Sequence, residues 1–250
     1  MMITRAVVPT LFTVLNMFCG FLSIIQVSEG KFAEAGYFIL LAGVFDSLDG
    51  VMARLTKSSS QFGVEIDSLS DVVSFGAAPA FLVYKLHLFQ FGTIGLIISS
   101  LLVILGGIRL ARFNVQLVGF DKDYFRGLPI PSSAIAIVFY VLTFTVDGNR
   151  FEGFAGTALP YVVVALSLLM VSTIKYDTLP KLSKREFVKH PIRFISYFFA
   201  LLIIIITKGE AAFYVFSVFI VFGIFRHLIG LLKHEEKVES EIEESPSYDI

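Results

Sequence analysis

Asp46-Ser47-Leu48-Asp49-Gly50-Val51-Met52-Ala53-Arg54, eight intervening residues, and Gly63-Val64-Glu65-Ile66-Asp67-Ser68-Leu69-Ser70-Asp71 form the stretch on which the fold turns. It lies between an apolar run at about residues 32–53 and another at about 71–89. Asp46 and Asp49 are spaced i,i+3 at the end of the first run, and Asp67 and Asp71 are spaced i,i+4 at the start of the second. On helices, each pair shares one face. The joining loop, Leu55 to Phe62, is short and holds Ser58-Ser59-Ser60. The two acidic pairs can therefore face each other across a helical hairpin.

Outward from that hairpin the chain stays apolar. Of its 250 residues 56% are hydrophobic, and the mean hydropathy is +0.80. A soluble domain sits near 45–50% apolar. The surplus is gathered into about eight candidate spans, near 10–28, 32–53, 71–89, 93–113, 130–147, 155–174, 194–207 and 211–232. Each can cross a hydrocarbon core as a helix, since about 20 residues suffice. The expected fold is all-α: a polytopic transmembrane helix bundle over residues 1–233, followed by an acidic, disordered cytoplasmic tail over 234–250. The N-terminal run, Thr10–Ser28, reads as a retained span, because no small-residue cleavage site closes it.

Lys and Arg give the orientation. Sixteen of the twenty lie on the same side as the N-terminus, among them Arg5, Arg54, Arg109, Arg112, Lys184 and Lys233, while Lys31, Lys85, Arg150 and Lys208 lie on the other. The positive-inside rule then puts both termini and the acidic hairpin in the cytoplasm. The single cysteine, Cys19, lies in an apolar run and reads as a small buried hydrophobe.

An Asp at membrane depth costs about 2.5–3.5 kcal/mol, so four equally deep and unpaired would cost on the order of 10 kcal/mol. Four neighbouring carboxylates also repel one another. Arg54 cannot neutralise four of them. Two divalent cations can, and all-oxygen sites suit Mg²⁺ or Mn²⁺. Two-metal sites of this kind commonly serve phosphoryl displacement. Gly50, Ala53 and Gly63 let helices or a ligand approach the backbone closely.

The hairpin resembles the signature of the CDP-alcohol phosphotransferase family, D-x2-D-G-x2-A-R-x8-G-x3-D-x3-D. Asp46, Asp49, Gly50, Ala53, Arg54, Gly63, Asp67 and Asp71 fill all its fixed positions. The resemblance implies a six-helix core, about residues 10–175, plus two further helices, and a homodimer. It implies that Asp46, Asp49, Asp67 and Asp71 bind the metal, with Asp71 also the general base. Asp49, Gly50, Ala53, Arg54 and Gly63 would line the nucleotide site. Val8–Phe21, Arg109–Asn114 and Phe125–Pro131 are similar to segments of the serine-specific bacterial branch. Thr10 departs from it, standing where relatives often carry Asn. The branch implies transfer of the phosphatidyl group from CDP-diacylglycerol to L-serine.

Arg109, Arg112 and Asn114 end the fourth span on the cytoplasmic side and are candidates to grip a serine carboxylate or a lipid phosphate. The alternative is that the two arginines anchor to headgroups. The basic segment Lys181–Arg193 reads as a contact for anionic membrane lipid. His87, His190, His227 and His234 have no metal-ligand spacing. No Gly-x-Ser-x-Gly elbow offers a covalent nucleophile, and no nucleic-acid partner is expected. Two alternatives stay open: another acceptor (glycerol 3-phosphate, inositol phosphate or choline), and a cation transporter whose acids bind a passing ion. Against the transporter, the acids gather at one membrane edge and have no matching half-repeat.

Overall fold

The structure, a computed structural model, describes residues 3–56, 60–117, 124–146, 149–151, 153–177, 191–207 and 209–243. The helices are α1 (Ile3–Ser28), α2 (Phe32–Thr56), α3 (Gln61–Asp71), α4 (Ala78–Leu86), α5 (Gly92–Leu117), α6 (Ile130–Phe144), α7 (Phe154–Val171), α8 (Pro191–Ile206) and α9 (Ala212–Glu243). Two antiparallel ribbons complete the described chain. β1 (Tyr124–Arg126) pairs with β4 (Lys175–Asp177), and β2 (Thr145–Val146) pairs with β3 (Arg150–Phe151). The protein is an all-α polytopic membrane protein. Five segments are long and apolar enough to span: Pro9–Ser28, Phe32–Ala53, Gln61–Leu86, Leu88–Val115 and Phe154–Val171. Ile130–Phe144 and Ala212–His227 are shorter apolar helices.

The third span differs from its expected limits. It begins at Gln61, because Ser60 caps it: the Ser60 hydroxyl accepts from the Gly63 N–H at 3.0 Å. It is also not one continuous α-helix. Between α3 and α4 the winding widens to a π-turn over Val72–Ala77. Pro79 supplies the cause, since it has no N–H to give the Phe75 carbonyl and its ring crowds that turn. At the other end of the chain, α9 continues to Glu243, into the segment expected to be disordered from His234. The Glu and Lys there are good helix formers. Residues 244–250, and most of the basic segment Lys181–Arg193, lie outside the described residues.

Packing is inverted relative to a soluble bundle. Large apolar side chains such as Leu11, Phe18 and Phe21 on α1 and Leu41, Val44 and Leu48 on α2 face outward, whereas Thr13, Asn16, Ser23, Ser70, Ser74 and Arg109 are buried. With lipid outside, apolar exposure costs nothing, and helices associate through close packing and hydrogen bonds instead. A three-residue turn at Glu29–Lys31, with Gly30 at φ +78°, folds α1 back along α2. α2 packs on α6, and α5 on α7. The π-turn and α4 lie in the middle, where Phe75 and Leu82 are fully buried. Small residues make the crossings possible: a Cβ on Gly20 would stand 2.6 Å from Ser74 Cα, and one on Gly106 2.6 Å from Ile130 Cδ1.

Candidate active site

α2 and α3 carry the four acids toward one another, as the hairpin reading expects. One carboxylate oxygen from each of Asp46, Asp67 and Asp71 lies within 4.8 Å of the other two. That spacing suits a shared cation with oxygen ligands at about 2.0–2.6 Å. Asp49, one turn from Asp46 and 91% buried, stands beside Asp67 and accepts a hydrogen bond from the Thr13 hydroxyl at 2.5 Å. Asp67 Oδ1 is buried with no hydrogen-bond partner among the described residues. A buried anionic oxygen without a donor implies a cation or a ligand group. The donor set is entirely hard oxygen, so the residues fit a divalent ion such as Mg²⁺ or Mn²⁺.

The remaining signature positions divide. Gly50 and Ala53 are half-buried on α2. Gly63 gives its N–H to the Ser60 cap, and a Cβ there would stand 3.2 Å from that hydroxyl. The side chain of Arg54 lies outside the described residues.

The three candidates on α5 have different surroundings. Arg109 is buried, lies within electrostatic range of Asp71, and places its guanidinium 6.0 Å from the Phe113 ring centroid. Arg112 donates to the carbonyls of Val171 and Ser172, at 3.0 and 3.4 Å, at the C-terminal end of α7. A cation there satisfies end carbonyls and the helix dipole. Asn114 donates to Ser68 Oγ at 2.9 Å, which ties the end of α5 to the helix bearing Asp67 and Asp71.

Two further polar residues, neither of them part of the acidic signature, meet the acids. Thr13 bonds Asp49, and Asn16 Nδ2 donates to Asp71 Oδ1 at 3.3 Å. The sequence signals only that they need partners, since the two are spaced i,i+3 in a largely apolar span where an unpartnered polar group is expensive, and it does not say which helix supplies them.

The comparisons with known proteins agree with this geometry. The profile of the CDP-alcohol phosphatidyltransferase family matches residues 6–174. The chain is 36% identical over 230 residues to a CDP-diacylglycerol–serine O-phosphatidyltransferase of Helicobacter pylori, covering 90% of this chain and 92% of the relative. It is 42% identical over 171 residues to an archaetidylserine synthase of Methanothermobacter thermautotrophicus, covering 67% and 68%. A CDP-diacylglycerol–serine O-phosphatidyltransferase of Bacillus subtilis is 33% identical over 174 residues, which make up 70% of this chain and 92% of that relative.

Proposed function

The chain belongs to the CDP-alcohol phosphatidyltransferase family, and on that premise we propose that it transfers the phosphatidyl group of CDP-diacylglycerol to the hydroxyl of L-serine, giving phosphatidylserine and CMP. The observation that carries the chemistry is the convergence of the Asp46, Asp67 and Asp71 carboxylates at a membrane-spanning hairpin. Serine as the acceptor is supported by the relatives, whose names specify transfer to serine or synthesis of a serine lipid.

In this reading Asp71 takes the proton from the acceptor hydroxyl. The hydroxyl oxygen attacks the phosphorus that bears the diacylglycerol, the bond from that phosphorus to the bridging oxygen breaks, and CMP departs. Two divalent ions, held by Asp46, Asp49, Asp67 and Asp71, would neutralise the diphosphate and the charge developing on CMP. Gly50, Ala53 and Gly63 would leave room for the nucleotide beside the acids, and Arg54 belongs to the same proposed nucleotide-binding set. Arg109, within electrostatic range of Asp71, would receive the serine carboxylate while the hydroxyl faces the base. The protein's share of the work is positioning and charge complementarity, which this class of displacement requires. The surplus of Lys and Arg on the N-terminal side supports a site that opens to the cytoplasm, with residues 1–233 as the catalytic membrane domain, assembled as a homodimer.

The test is CMP release by purified protein with CDP-diacylglycerol and each candidate alcohol in turn. Release that depends on serine, stops with EDTA and returns with Mg²⁺ or Mn²⁺ is the expected result. Release with glycerol 3-phosphate, inositol phosphate or choline but not serine overturns the acceptor. Cation flux in proteoliposomes with no CMP formed under any condition overturns the chemistry.

A further inference from the structure

We propose that Asn16 is a positioning residue for the Asp71 carboxylate, and that α1, through Thr13 and Asn16, sets the gap between the two acid pairs. The inference rests on the reading of Asp71 as the base.

Thr13 and Asn16 are three residues apart and so project from one face of α1. Each reaches a different arm of the acidic hairpin. The Thr13 hydroxyl donates to Asp49 Oδ2 on α2 at 2.5 Å, and the Asn16 amide donates to Asp71 Oδ1 on α3 at 3.3 Å. The backbone carbonyls of the same two residues accept hydrogen bonds from Ser70 and Ser74, at 3.0 and 2.8 Å. Those serines flank Asp71 in the chain. α1 is therefore fastened to the third span through those two serines, and separately meets the base itself through the Asn16 amide.

Asn16 is fully buried, and its amide oxygen has no partner among the described residues. Half-satisfying an amide at membrane depth is costly and calls for a reason. Inverting the amide would face its oxygen toward Asp71 Oδ1, acceptor against acceptor, so the acid decides which end meets it. In return, a donor on Oδ1 fixes the plane of the carboxylate and leaves Oδ2 for the proton of the acceptor hydroxyl. The final torsion of an Asp side chain is otherwise broad, and a rotated carboxylate would turn that oxygen away. Simple fastening of α1 needs no amide, because Gly20 and the Ser74 hydrogen bond already join α1 to the π-turn.

The test compares Asn16→Leu, which keeps the branched four-atom skeleton and removes the donor, with Ser74→Ala, which removes a bond between the same helices without touching an acid. Steady-state CMP release is measured against serine, CDP-diacylglycerol and Mg²⁺. Asn16→Leu is expected to lower kcat about 10- to 100-fold, the range seen when a residue orienting an active-site ligand is lost. The KM values should stay within about threefold. Ser74→Ala should keep kcat. Asn16→Ser, which withdraws the amide without adding bulk, is expected to give the same pattern and serves if the leucine variant does not fold. Unchanged kcat in the Asn16 variants, a loss confined to KM or to the Mg²⁺ requirement, or an equal kcat loss in Ser74→Ala overturns the inference. The wild-type assay judges the proposed reaction and the variant-to-wild-type ratio judges Asn16, so the two failures are distinct.

Discussion

At the scale of single residues, the site is built from buried polar groups that only partly satisfy one another. Asp67 leaves an oxygen buried without a donor among the described residues, and Asp71 receives one from Asn16. Asp71→Asn keeps the shape and removes the base. It is expected to lower serine-dependent CMP release by about 10²–10⁴-fold, with little change in the melting temperature measured in detergent. Arg109 and Arg112 should separate. Arg109 is buried near Asp71, so Arg109→Lys, which replaces a bidentate fork by a point charge, is expected to raise the KM for serine at least about tenfold. Arg112 holds the α7 carbonyls of Val171 and Ser172, so Arg112→Lys is expected to lower the melting temperature and leave that KM near its wild-type value. A normal serine KM in Arg109→Lys would remove Arg109 from the acceptor site. The acids were legible in the sequence because their spacing is local, and the cost of burying them is large. Thr13 and Asn16 were not, since nothing in α1 itself says which distant helix its polar face meets.

At the scale of elements, the π-turn and the β1–β4 ribbon matter most. The π-turn over Val72–Ala77 begins immediately after Asp71, and with Pro79 it sets how the acid-bearing α3 joins the buried α4. The ribbon seats Gly127 at φ +81° against α7, its N–H bonding the Ile174 carbonyl at 2.8 Å. A Cβ at that position would meet the Met170 carbonyl oxygen at an impossible distance. This is why glycine stands between Arg126 and Leu128. On the same ribbon Tyr176 is buried, and burial pushes its hydroxyl up to about 12. Its ring lies so close to Gly223 of α9 that an added Cβ would stand 2.7 Å from Tyr176 Cδ1. Gly223→Leu is expected to cost about 1–3 kcal/mol, the usual penalty of overpacking, read as a lower melting temperature in detergent. An unchanged melting temperature would show that α9 does not bear on the ribbon. Neither the π-turn nor this clamp is legible in hydropathy, which reports how apolar a segment is and not how its winding adjusts to a proline or whose ring fills a glycine's gap.

At the scale of the whole molecule, the family match ends at residue 174, before α8 and α9. α9 instead joins the core through rings: Phe213 stands 5.0 Å from Tyr140 and 5.4 Å from Phe144 of α6. The last helix is thus held at both the ribbon and the aromatic cluster. Orientation in the membrane has a direct check. Cys19 is the single cysteine and is buried, so a Cys19→Ser background allows Lys31→Cys and Leu55→Cys to be labelled separately with an impermeant maleimide. Lys31→Cys is expected to react in intact cells, and Leu55→Cys only after lysis. The reverse pattern would place the acidic hairpin on the opposite face of the membrane.

By itself the sequence determined the membrane class, the succession of apolar spans and the four acids. Each of these follows from composition or from spacing along one or two neighbouring helices, where geometry is set by the helix repeat. Tertiary structure alone decided that Asn16 and Thr13 face the acids, that Arg112 closes α7, and that the third span changes its winding beside the site. Those are contacts between segments far apart in the chain, and inside a membrane they are chosen by close packing and by the need of each buried polar group for a partner.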